Sequence, residues 1–149
     1  MSDAVPVILG IDYGERRIGL AISDATGVVA LPLKVVEVRS PVQAAREVLA
    51  LCRERRVERI VVGLPLNMNG SRGAMARGVE EFVRLLESMV KVPIELWDER
   101  LSTALVERDL LASRAGRRAR KGVVDKLAAQ VVLQSYLDAR QERTCHDTD

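Results

Sequence analysis

The period of apolar and polar positions changes several times along this chain, and each change marks an element. Val5 to Asp12 is an apolar, β-branched run ending in an Asp-Tyr-Gly turn, and a second extended run, Arg17 to Asp24, follows Gly14-Glu15-Arg16. That spacing predicts a hairpin. Gly27 opens a third extended segment, Val28 to Val38, where Pro32 points to a sheet edge or a bulge because proline cannot donate to a central ladder. Helical spacing then takes over. Ser40 suits an N-cap and Pro41 the first helical position, while Ala45, Val48, Leu49 and Cys52 share one face of a helix reaching about Arg56. Arg59 to Gly63 is a short apolar run of the kind buried on both faces of a parallel sheet, and it breaks at Leu64-Pro65 into the loop LNMNGSRG. A second helix is predicted from Gly73 to Val90, with Met75, Val79, Phe82, Val83 and Leu86 inward, and a fifth strand from Pro93 to Trp97. Leu101 to Ala112 reads as a helix, Ser113 to Gly122 as a basic loop, and Val123 to about Arg140 as a final helix.

Three antiparallel strands followed by αβαβα predict an α/β fold, a mixed five-stranded sheet with helices on both faces. Residues 1–140 are expected to form one domain and residues 141–149 a flexible tail. With 48% apolar and 30% charged residues among 149, the composition is that of a globular core, which excludes disordered and fibrous classes. The first residues carry no basic leader, and no apolar run approaches the roughly 20 residues that span a bilayer, so a cytoplasmic protein without membrane contact is expected.

Histidine and cysteine usage narrows the chemistry further. Cys52 falls on a predicted core face, Cys145 and His146 fall in the tail, and His146 is the chain's one histidine. Nothing here spaces ligands for zinc or forms a disulfide framework. Without a histidine in the body, Ser-His-Asp and Cys-His arrangements are excluded, and any hydrolysis must rest on carboxylates, lysine or a metal.

Three carboxylates are placed for such a role. Asp12 ends a fully apolar strand, where a charge is costly unless a cation or hydrogen bonds compensate it, although a turn aspartate capping Tyr13-Gly14 would look the same. Asp98 and Glu99 lie just past the fifth strand, and ligand crevices of open α/β sheets lie outside such strand ends. Neighbouring strand residues point to opposite faces, so one of this pair can join Asp12 while the other caps the next helix or pairs with Arg100. Asp125, in the first turn of the last helix, shares a face with Ala128, Ala129 and Val132; it is equally explained as a first-turn acid at the positive end of the helix dipole. Together Asp12, one of Asp98 and Glu99, and Asp125 would form an all-oxygen site suited to magnesium or manganese. Two such ions can support in-line phosphodiester hydrolysis without histidine.

Four stretches, ILGIDYGERRIGLAISD, IVVGLPLNMNGSRG, WDERLST and VVDKLAAQVVLQSYLD, together resemble the YqgF/RuvX family over nearly all of Val5 to Asp138. These proteins are called Holliday-junction-resolvase-like and, in bacteria, are linked to processing of precursor 16S ribosomal RNA. The resemblance implies an RNase H-like fold and a nuclease. It implies that Asp12 is the catalytic aspartate of the first strand, Glu99 the acid of the DER motif and Asp125 the acid of the last helix.

Net charge is only +2, yet Arg114, Arg117, Arg118, Arg120 and Lys121 crowd one segment that could clamp phosphates beside the acids or merely be a solvated loop. Asn67, Asn69, Ser71, Arg72, Arg77 and Arg100 are further candidates for nucleic-acid contact, through side chains and the amides of a helix start. With 3% aromatic residues, recognition of shape and backbone is expected over base stacking; Tyr13 and Trp97 are the aromatics placed to stack, and core packing suits Trp97 better. The resemblance makes precursor 16S rRNA the preferred partner and branched DNA the alternative, and a monomer or weak homodimer is the expected state. Two rivals stand beside a nuclease. An ATP-handling protein of the actin and sugar-kinase type would need a second lobe, and a ribosome-assembly factor would keep the fold but not the reaction.

Overall fold

The computed structural model describes residues 5–101 and 127–141. Over the first span the chain forms β1 (Ile8–Tyr13), β2 (Arg17–Ser23), β3 (Ala30–Glu37), α1 (Pro41–Arg55), β4 (Arg59–Leu64), α2 (Ala74–Glu87), β5 (Ile94–Asp98) and a 3-10 turn (Glu99–Leu101). Residues 127–141 are helical and are called α3. The strands lie in the order β3-β2-β1-β4-β5. Strands β1, β4 and β5 are parallel, and β2 runs antiparallel to both its neighbours, β1 and β3.

Local signals account for most boundaries. Ser40 caps α1, its Oγ accepting from the Gln43 N–H at 3.1 Å, and Pro41 occupies the first turn. The helix stops where Arg56 turns left-handed, at φ 54°. Pro32 sits on the edge strand and beside an irregularity: Leu20 pairs with Lys34 but Ala21 with Pro32, which leaves Leu33 as the extra residue. Helix α2 ends at Glu87, short of the expected Val90, because the Ser88, Met89 and Val90 amides bond back to Leu85 and Leu86 in a tightened last turn. Leu101 closes a 3-10 turn, and the rest of the helix expected to Ala112 lies outside the described residues. Gln141, expected to begin the tail, is still helical; it and Arg140 are good helix formers that let the last turn continue.

Alternation along the strands divides the core between two faces. Leu9, Ile11, Ile60 and Val62 face α1 and α2, where Val48, Phe82 and Leu86 complete the larger cluster. Ile8, Ala21, Ala30 and Val61 face α3 and meet Ala129, Val132, Leu133 and Leu137. The close seat of α3 depends on Gly10 of β1. A Cβ there would stand 2.7 Å from the Leu133 Cβ and 3.3 Å from the Ala129 carbonyl oxygen, so no side chain fits between strand and helix. Two glutamines fasten the other edge of α3. Gln134 accepts from the Ala30 N–H at 2.9 Å and donates to the Val28 carbonyl at 2.8 Å, while Gln130 donates to the Ala30 carbonyl at 3.0 Å. Backbone groups at the start of an edge strand are thereby satisfied by a helix.

Two glycines therefore respond oppositely to alanine. Gly10→Ala forces α3 off the sheet and lowers unfolding free energy by about 1–3 kcal/mol. Gly78, inside α2, would present its Cβ to open space, with nothing within 4 Å. Gly78→Ala should raise stability by about 0.5–1 kcal/mol, since only the glycine's backbone entropy is removed. Denaturant melts of the two variants check both signs.

Candidate active site

Asp12 belongs to the same alternation as Ile8 and Gly10, so its side chain leaves the sheet on the α3 face. Its partner across the antiparallel ladder is Gly19. On the other side, one step beyond the pair Ile11 and Val62, the parallel register places Gly63. A half-buried carboxylate thus stands at the end of the central strand between two positions that have no side chain.

Glu99 reaches the same face from β5. Glu95 and Trp97 alternate toward α3, where Arg59 bonds both Glu95 and the Tyr136 hydroxyl, and Trp97 Nε1 donates to Ser135 Oγ at 3.0 Å. After Asp98 the chain enters the 3-10 turn, and Glu99 folds back over β4 until its side chain is 1% exposed. A Cβ on Gly63 would lie 2.8 Å from Glu99 Oε1 and 3.1 Å from Val132, so the glycine is the floor on which that carboxylate rests. Asp12 is on the strand next to this floor, about 4.8 Å away between backbones.

Asp98 has a different fate. It faces away from α3 and binds Arg100 through Oδ1 and Oδ2, with Nη2–Oδ2 at 2.7 Å, and Oδ1 also accepts the Arg100 N–H at 2.9 Å. These hydrogen bonds hold its carboxyl below the usual carboxylate range. Arg100 Nη1 also donates to the Met68 carbonyl at 3.2 Å, and Ser135 Oγ donates to the Leu101 carbonyl at 3.1 Å. The turn carrying Glu99 is therefore tied on one side to the loop after β4 and on the other to α3.

Several residues read as contacts for nucleic acid are engaged within the protein. Asn67 donates to Ser71 Oγ at 2.9 Å, and Asn69 Oδ1 accepts from both the amide and hydroxyl of Ser71. These side chains shape the loop around Gly70, whose φ is +86°. Arg72 pairs with Glu80 at 3.3 Å, Arg100 with Asp98, and Arg77 is exposed on the first turns of α2. Tyr13 stacks on Phe82 at 4.2 Å, and Trp97 meets the edge of Tyr136 at 5.3 Å. Asp125 and the basic residues Arg114, Arg117, Arg118, Arg120 and Lys121 lie outside the described residues. Among the described residues no group of three His, Cys, Asp or Glu converges. The glycines around Asp12 went unread as part of the site, although a glycine within an apolar strand, as in RIGLA and IVVGL, is a sign of close approach.

The family described as "RuvX: Holliday junction resolvase" matches residues 6–139. The chain belongs to the RuvX family. A relative from Halothermothrix orenii is 43% identical over 131 residues, covering 88% of this chain and 94% of its own length. One from Syntrophomonas wolfei is 44% identical over 131 residues, covering 88% and 93%. Both are named as candidate pre-16S rRNA nucleases. Among solved structures, RuvC of T. thermophilus in complex with a Holliday junction superposes with a TM-score of 0.60 at 16% identity, covering 93% of this chain and 97% of that one. RuvC of Thermus thermophilus in a further structure gives 0.57 at 19%, covering 91% and 96%. The shared architecture is the RNase H-like fold that the family resemblance implied, and its mixed five-stranded sheet agrees with the order of elements.

The Asp98–Arg100 pair yields a pH prediction with a definite sign. Folding lowers the Asp98 pKa, so the pair stabilises fully above the ordinary carboxylate value of about 3.9 and is lost as pH falls through the lowered one. Arg100→Ala should raise the Asp98 titration toward the ordinary range, the backbone N–H of residue 100 still donating to it, and release the loop at Met68. Carboxyl NMR titration measures the first effect, and amide exchange of residues 67–71 the second.

Proposed function

We propose that this chain is a metal-dependent nuclease that hydrolyses phosphodiester bonds of precursor 16S rRNA in the cytoplasm. The observation that carries this reading is the pairing of Asp12, between two glycines, with Glu99 buried on Gly63, in a chain of the RuvX family. The relatives' assignment to pre-16S rRNA favours the substrate. Among the described residues no helix is long and apolar enough to cross a membrane.

The donor set suits a hard divalent cation. Carboxylate oxygens are its preferred ligands, and the floor left by Gly63 already admits one of them. Asp12 and Glu99 would hold magnesium or manganese, with Asp125, two residues before the described start of α3, as third ligand. A bound cation would supply a water of lowered pKa and a counter-charge for the leaving oxygen. The chain itself contributes position. Strand β1 fixes Asp12, the Asp98–Arg100 pair and Ser135 fix the turn that carries Glu99, and burial keeps the Glu99 carboxylate out of bulk water. The arginines between 114 and 120, with Lys121, hold phosphates on either side of the scissile bond. A monomer or weak homodimer suffices for RNA cleavage, whereas the family's description as a junction resolvase supports a second reading, symmetric cutting of branched DNA by a dimer.

Cleavage of end-labelled precursor 16S RNA, single-stranded RNA and a four-way DNA junction, in magnesium, manganese or EDTA, separates these readings. Asp12→Asn and Glu99→Gln should each lower metal-dependent cleavage by about 10²-fold or more. Asp98→Asn, acting only through the turn, should cost about 10-fold. Preference for the junction would move the substrate to DNA. Equal cleavage by wild type and Asp12→Asn would sink the carboxylate mechanism, and RNA binding without cleavage would make the chain an assembly factor.

A further inference from the structure

The end of the sheet that carries Asp12 also carries a basic cleft. Tyr13 pairs with Ile18 and Arg17 with Glu37, so the β1–β2 turn and the end of β3 both open where the parallel strands β1, β4 and β5 end. Between that turn and the β3–α1 connection is a cavity of about 970 Å³, lined by Glu15, Arg16, Arg17, Glu37, Arg39 and Gln43. We propose that this cleft is a phosphate-binding subsite for the substrate strand, with Arg16 and Arg39 as its ligands. The proposal rests on the nuclease reading and assigns the path by which the nucleic acid leaves the acids.

Both arginines stand on fixed backbone. Val38 N–H donates to the Arg16 carbonyl at 2.8 Å, joining the two walls, and Arg39 N–H donates to Gln43 Oε1 at 2.7 Å within the cap of α1. Charge is left over in the cleft as well. Arg17 is paired with Glu37 at 3.7 Å, which sets Arg16 and Arg39 against Glu15 alone. Both side chains are exposed and form no ion pair among the described residues, whereas Arg72 and Arg100 are each held by a carboxylate. An exposed guanidinium presents the planar donor fork that matches a phosphodiester.

Reach favours a nucleic-acid strand over an unconnected anion. From β1 to β3 is two strand spacings, about 10 Å, which a stacked strand covers in about three nucleotides at about 3.4 Å each. A strand whose scissile phosphate lies at Asp12 would therefore place another phosphate over the β1–β2 turn. On the opposite flank, across β4, lies the loop fastened by Arg100, so the substrate would cross the sheet end from β3 toward β5.

The test is the salt dependence of binding to a short 5′-labelled single-stranded RNA, followed by anisotropy in EDTA between about 50 and 200 mM salt. Relative to wild type, the double variant Arg16→Gln/Arg39→Gln should bind about tenfold more weakly and lose ~1.4 from the slope of log affinity against log salt, ~0.7 for each contact removed. Arg16→Lys/Arg39→Lys should recover most of the slope. Arg53→Gln, removing an exposed arginine from the last turn of α1 outside the cleft, should leave the slope unchanged. An unchanged slope in the double glutamine variant overturns the subsite, as does an equal loss in Arg53→Gln, which would mean that only overall charge matters. Hydrolysis of bis(p-nitrophenyl) phosphate by wild type against Asp12→Asn tests the nuclease reading separately. If that hydrolysis is sound and the slope does not move, the cleft alone is wrong; if wild type neither hydrolyses the diester nor binds RNA, both readings fall.

Discussion

At Gly10 and Gly63 the two central strands carry no side chain on the face that α3 covers, and the rest of the molecule is arranged around those two gaps. Over Gly10 the helix descends until Leu133 and the Ala129 carbonyl occupy the space of a methyl group. Over Gly63 the occupant is instead the carboxylate of Glu99, with Val132 beside it. The same packing that gives the second face its core therefore delivers α3 to the edge of the acid site. A larger residue at either position would separate the helix, the turn and the strand ends from one another.

Parallel strands gather their C-terminal ends on one side of a sheet, and here that geometry concentrates charge. Asp12, Asp98 and Glu99 all arrive at the same rim, yet their environments differ. Asp98 is neutralised by Arg100 and serves to hold a turn, Asp12 is half-buried between glycines, and Glu99 is withdrawn from water against the sheet. Carboxylates gathered at one rim have no attraction for one another, and burial adds a desolvation penalty for Glu99. The Asp98–Arg100 pair stabilises its turn, whereas burying the Glu99 carboxylate carries a cost, and that cost is why the rim is proposed as a place of chemistry.

Local chemistry made much of this legible in advance. The Ser40-Pro41 start of α1, the β1–β2 hairpin and the edge position of Pro32 follow from residues that act on their own backbone. The αβαβα order after a meander was enough to place helices on both faces. What the sequence could not supply were effects joining distant segments. Which of Asp98 and Glu99 turns toward α3 depended on where β5 ends and the 3-10 turn begins, because that turn sends Glu99 back over Gly63. Asn67, Asn69 and Ser71, read as candidates for nucleic-acid contact, also hydrogen-bond one another and so shape their loop. Arg16 and Arg39 were overlooked for the converse reason: only the antiparallel meander brings them to one cleft. Gln130 and Gln134 likewise read as ordinary polar helix positions until the edge strand is seen beneath them.

The location of the aromatic rings limits how such a site can recognise its substrate. Tyr13, half-buried, presents a face to Phe82, and burial with the nearby Glu15 and Glu81 raises its hydroxyl above the usual range, so it stays neutral. Trp97 is held at both ends, by Ser135 through its N–H and by Tyr136 at its ring. Trp97 cannot leave to stack on a base without giving up contacts that position β5, nor Tyr13 without giving up its stack on Phe82 of α2. Single-strand readers of base sequence depend on such platforms, and the described surface offers guanidinium groups in their place. On the proposed path of the phosphates across the sheet end, selectivity would come from the shape of the nucleic acid.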